Sequence, residues 1–195
     1  MKRKLIIPVL LLILCLQNVL AGCGNNISRE LAFGVAPTSV TDGNSVEDES
    51  PIALILINLN YSWGYHYEAE FVTENGTYFQ HDFSDDGRED YGPEDVFNVE
   101  REGGVAFLSK EEMTEISNEV AQIEAEEHRK YDYAMDSGER ILYAVKYDDN
   151  GTPELVLLGM SGDAIYVPKD KHAMKICERF GLSPKAGKGL QKFER

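Results

Sequence analysis

Ile52-Ala53-Leu54-Ile55-Leu56-Ile57 is an unbroken apolar run of strand length, followed by the alternating Asn58, Leu59, Asn60 and Tyr61. A strand that is apolar on both sides has no face to give to water. It belongs in the middle of a sheet covered on both faces, so the rest of the chain must supply flanking strands and two covering layers. The flanking strands are legible. Tyr65 to Thr73 and Thr77 to Ser84 lie either side of Asn75-Gly76, a strong hairpin signal. Ile141 to Tyr147 and Glu154 to Leu158 flank Asp148-Asp149-Asn150-Gly151, Ala164 to Val167 reads as a short strand, and Gly103-Gly104 joins Val96 to Glu100 with Val105 to Leu108.

Two helices complete the pattern. Ser109 and Glu112 form a capping box, and Met113, Ile116, Val120 and Ile123 set one apolar stripe on a helix expected to run to about Lys130. A second helix, Lys169 to Phe180, stops at Gly181. The expected fold is α+β: a mainly antiparallel sheet built from hairpins, with one long central helix and one C-terminal helix packed on it. Residues 51–195 form this single acidic domain. Residues 23–50, rich in Asn, Ser, Thr, Asp and Glu, read as a flexible tether with a reach of about 30 Å.

The N-terminus has a different character. Lys2, Arg3 and Lys4 precede an apolar run from Leu5 to Leu20 that is too short for a membrane span. Leu20-Ala21-Gly22-Cys23 closes it, and this tetrapeptide resembles the lipobox of bacterial lipoproteins. The resemblance implies that residues 1–22 are a cleaved signal peptide and that the Cys23 sulfur carries a diacylglyceryl group. The protein is then expected at the cell membrane, lipid-anchored and facing the extracytoplasmic side, since two acyl chains give stable attachment.

With 34 acidic and 19 basic residues the whole chain carries −15, and without its three N-terminal cations it carries −18. Such a surface repels nucleic acid and anionic headgroups, which leaves the lipid to hold the protein at the membrane. The expected partner is a cationic protein, peptide or solute. Cys15 leaves with the signal and Cys23 is lipidated, so Cys177 remains without an intrachain disulfide partner. Its spacing from Ala173, Ile176 and Phe180 puts it on an apolar helix face.

Several clusters invite chemistry. A two-residue turn at Asn75-Gly76 would pair Glu70 with His81, Glu68 with Phe83 and His66 with Asp85. His66, Glu68, Glu70, His81 and Asp85 would then share one face, a donor set suited to zinc or to acid–base work. Asp82-Phe83-Ser84-Asp85-Asp86-Gly87 resembles the start of an EF-hand calcium loop, but Pro93 stands where that loop needs a bidentate glutamate. The acidic stretch Asp82 to Asp90 therefore offers calcium at most a looser site. Tyr61, Trp63, Tyr65 and Tyr67 alternate onto one side, either as core or as a groove that stacks on sugars or peptides. Asp148 to Gly151 is explained by a plain turn, and Ser161 with His172 belongs to no recognisable nucleophile motif. No cofactor motif is present. The reading is a membrane-anchored, non-catalytic binding module, with a metal-dependent hydrolase and a calcium-stabilised binding domain as alternatives.

Overall fold

The computed structural model describes residues 47–61, 64–84, 88–124, 126–132, 138–162 and 164–182. The signal segment, Cys23 and most of the expected tether lie outside them. The described residues all fall within one compact unit. Among them an eight-stranded sheet, antiparallel throughout, is built from β1 (Ile52–Asn60), β2 (His66–Thr73), β3 (Thr77–Asp82), β4 (Val105–Ala106), β5 (His128–Asp132), β6 (Glu139–Tyr147), β7 (Pro153–Gly162) and β8 (Ala164–Pro168), in the order β4-β3-β2-β1-β6-β7-β8-β5. Helices α1 (Lys110–Ala121) and α2 (Lys171–Arg179) accompany it, which makes the class α+β. Among the described residues no helix is long and apolar enough to span a membrane.

β1 sits where its composition demands, between β2 and β6. Leu54 and Leu56 join Val72, Leu142, Ala144, Val156 and Leu158 in a core closed by Met113, Ile116 and Val120 of α1 and Ala173, Ile176 and Cys177 of α2. Ile55 and Ile57 join Tyr67, Ala69, Phe71, Phe79 and Phe83 in a second core on the other face. Among the described residues that face is covered by a 3-10 segment, Pro93–Asn98, which lays Val96 over it. Each fully buried Ile or Leu contributes about 1.5–3 kcal/mol, so the β1 run is a dominant stabilising element. Ile52 packs with Ile55 despite its parity because the ladder to β2 shifts between Ile52 and Leu54; a bulge at Ala53 turns the side chain over.

Three elements depart from expectation. Val96 to Glu100 is not a strand, because Pro93 starts a helical turn and the Asp95 carboxylate accepts the Gly92 N–H (2.8 Å); Val105–Ala106 pairs with β3 instead. α1 stops at Ala121, short of Lys130. Its apolar stripe ends at Ile123, whose carbonyl accepts a hydrogen bond from Lys146 Nζ (3.1 Å), and His128–Asp132 pairs with β8 as an edge strand. Asp48, inside the expected tether, is buried: its carboxylate accepts from Thr73 Oγ1 (2.7 Å) and the Ser50 N–H (2.9 Å). Those hydrogen bonds outweigh desolvation and hold its carboxyl well below the usual aspartate range.

α2 meets the sheet at a second bulge. The β6–β7 ladder shifts between Leu142 and Tyr143, which puts both Leu158 and Gly159 towards the helices. A Cβ on Gly159 would stand 2.9 Å from Cys177 Sγ and 3.3 Å from the Tyr166 carbonyl oxygen, so only glycine admits this close an approach. Gly159→Ala is expected to cost about 1–3 kcal/mol by overpacking. Because the first obstacle is a sulfur, Gly159→Ala/Cys177→Ala should be more stable than the sum of the single changes predicts, read from urea unfolding midpoints. Strict additivity would show that the sulfur is not the obstacle.

Candidate functional site

The hairpin that carries the sequence-level candidates closes differently from a two-residue turn. Gly76 N–H donates to the Thr73 carbonyl (2.9 Å) and Gly76 has φ of +82°, while no described non-glycine residue has positive φ. Asn75 therefore does not take the left-handed conformation that the two-residue turn requires, and Glu74-Asn75-Gly76 forms a three-residue loop with glycine at the left-handed position. A Cβ at Gly76 would also collide with the Leu108 carbonyl oxygen.

One residue of register changes the site. The pairs are Glu70 with Gln80, Ala69 with His81 and Glu68 with Asp82. Because side chains alternate, His81 goes to the opposite face from His66, Glu68 and Glu70, where its ring lies 4.4 Å from that of Phe83. The expected pairing of Glu70 with His81 is thus corrected, and the donor set divides between two faces. Asp85 lies outside the described residues, as do Asp86 and Gly87 of the calcium-like loop. Among the described residues no group of His, Cys, Asp or Glu side chains converges to hold a metal ion.

What the register does assemble is a polar network at the edge of the helix-side core. Glu70 is 2% exposed. Asn58 Nδ2 on β1 donates to its Oε1 (2.9 Å) and the Tyr78 hydroxyl on β3 donates to its Oε2 (3.0 Å). Burial pushes the Glu70 carboxyl above the ordinary glutamate value, the two hydrogen bonds pull it back, Glu68 adds a smaller upward push and Arg140 of β6 a smaller downward one. One strand end further out, His66 lies between the directly opposed carboxylates of Glu68 and Asp82, with ring nitrogens 3.9 Å from each. The imidazole separates a pair of like charges that would otherwise repel.

Ser84 is a member of this end that the sequence did not reveal. Its Oγ accepts the Tyr67 N–H (3.1 Å) and lies 2.8 Å from His66 Nδ1, contacts that become foreseeable only with the observed register. Its own N–H donates to Asp82 Oδ1 (2.9 Å) and so is not aimed at a developing oxyanion. The group ties the end of β3 to β2.

The aromatic residues make a graded row. Tyr61 is 64% exposed; its ring lies 5.8 Å from that of Tyr65, which stacks at 6.3 Å on Tyr67, which is 3% exposed and reaches Tyr91 at 6.0 Å. The row thus is both core and surface. Trp63 lies outside the described residues. The Arg88 guanidinium lies 4.3 Å from the Tyr91 ring centre, with its Nε donating to Asp90 Oδ1 (3.0 Å) and Nη1 3.6 Å from Asp95 Oδ1.

The remaining candidates have structural partners. Asp148 Oδ1 accepts from the N–H groups of Asn150 and Thr152, both at 2.8 Å, as a plain turn requires. Ser161 stands opposite Arg140 in the β6–β7 ladder, whereas His172 Nδ1 meets Glu119 Oε2 at 2.6 Å between the two helices. Cys177 is buried and its thiol is pushed up to about 12, which makes it a poor nucleophile. No family model, curated protein or solved structure matches this chain.

Glu70 leads to a signed pH prediction. Its raised native pKa means that the folded state holds the proton more tightly, so its contribution to folding is fully present below the ordinary glutamate value and is lost as pH rises from there through the raised native value. Glu70→Gln should therefore flatten that part of the stability-versus-pH curve relative to the wild type. Tyr78→Phe, which strips one donor from the buried carboxylate, should cost about 1–3 kcal/mol at neutral pH. Chemical unfolding across pH checks both; an unchanged pH slope in Glu70→Gln would count against the network.

Proposed function

We propose that this protein is a lipid-anchored binding module on the extracytoplasmic side of the cell membrane, which captures a cationic protein, peptide or solute without a catalytic step. The observation that carries the reading is the aromatic row, which rises from the buried Tyr67 through Tyr65 to the exposed Tyr61 and is bordered by Asp90 and Asp95. An aromatic surface anchored in a core is rigid, so it can stack on a ligand at small entropic cost. The surrounding negative charge draws a cationic partner and speeds its encounter. The metal-hydrolase alternative required His66, Glu68, Glu70 and His81 to meet, and the register sends His81 to the opposite face from the other three.

Anchoring rests on the lipobox-like Leu20-Ala21-Gly22-Cys23. Cys23→Ser is expected to move the protein from the membrane fraction to the soluble extracytoplasmic fraction; retention of the variant in the membrane would contradict the lipid anchor. Capture is tested with the immobilised mature chain, residues 23–195, and envelope extract. A bound partner should be released by raised salt and weakened about tenfold by Tyr61→Ala/Tyr65→Ala. Capture indifferent to both would contradict the proposed surface.

A further inference from the structure

The inner end of the aromatic row already holds a cation. Arg88 is about half exposed, yet its guanidinium is fixed on three sides: by the face of Tyr91, by Asp90 through a charged hydrogen bond, and by Asp95 of the 3-10 segment. A planar guanidinium over an aromatic ring with carboxylates at its edge is the arrangement that recognises arginine in preference to lysine. The fork matches carboxylate oxygens and the flat group stacks, whereas an ammonium does neither as well.

We infer that Arg88 is a built-in occupant of a guanidinium-binding site formed by Tyr91, Asp90 and Asp95, and that the ligand captured by the aromatic row presents an arginine side chain that displaces it. This rests on the reading of the row as a ligand surface and names the chemistry it selects. Displacement requires no change in the core, because Arg88 stands at the surface beside the row. Asp90 and Asp95 are released from one guanidinium and taken up by another, so the charge balance of the site is kept. The chain's own arginine thereby sets a threshold that a weakly cationic ligand does not cross.

The test compares binding of an acetylated, amidated peptide of three arginines with its three-lysine counterpart by isothermal titration, using the mature chain and its variants. Arg88→Ala should bind the arginine peptide about tenfold tighter than the wild type. Asp95→Asn placed in the Arg88→Ala background should remove the gain. Arg129→Ala, which deletes an exposed cation elsewhere, controls for net charge and should change affinity by less than about twofold. Thermal unfolding of Arg88→Ala verifies that the variant is folded. The inference is overturned if Arg88→Ala binds no tighter than the wild type, or if Arg129→Ala or the lysine peptide gives an equal gain. Salt-sensitive binding of both peptides by the wild type, with no gain in Arg88→Ala, would remove the built-in occupant and leave the binding module standing. No binding of either peptide by any version would remove both.

Discussion

The burial of β1 on both faces is the constraint from which the other features descend. Leu54 and Leu56 point to one side, Ile55 and Ile57 to the other, and all four are withdrawn from solvent. A strand of that kind needs a partner on each edge and a layer on each face. β2 and β6 supply the edges, α1 and α2 cover one face, and the 3-10 segment with its aromatic neighbours covers the other. The bulge at Ala53 and the bulge at Leu158 are the local adjustments by which the sheet accepts both layers.

The asymmetry between the two layers accounts for where the proposed binding surface lies. The helix side is closed by regular amphipathic elements, and its polar margin is satisfied internally: Glu70 by Asn58 and Tyr78, Glu119 by His172 and Lys175. The opposite face is closed by rings rather than by a helix, and the rings do not all fit inside. Tyr67 and Phe83 are buried, Tyr65 and Tyr91 lie at the boundary, and Tyr61 stands in solvent. Arg88, Asp90 and Asp95 gather at that boundary. The binding surface we propose is therefore a by-product of how the second core is sealed, with carboxylates drawn to the rim where solvent returns.

Much of the fold was legible because periodicity reports burial directly. The β1 run, both long hairpins, the β8 strand, the Ser109 capping box and the stop at Gly181 all appear near their expected positions. The misses share a physical origin, in that tertiary partners decide them. His128–Asp132 carries charges at alternate and adjacent positions and becomes a strand because β8 offers it an edge. Pro93–Asn98 coils because Asp95 caps it and Val96 finds the sheet. The register of β2 and β3 turned on the φ of a single asparagine. A two-residue and a three-residue loop share the Asn-Gly signature, yet they send His81 to opposite faces. The Arg88 site was not legible at all, because it joins residues from a loop and a 3-10 turn whose mutual placement no spacing reveals.

Native-state hydrogen exchange tests the central claim most directly, because it ranks segments by the free energy needed to expose them. If the two-faced burial of β1 organises the domain, the amides of Leu54 to Ile57 exchange slowest and only through global unfolding, while those of the β5 edge strand exchange through smaller openings. Exchange at Leu54 to Ile57 that is as fast as at Arg129 and Lys130, or that precedes loss of α1, would contradict the account.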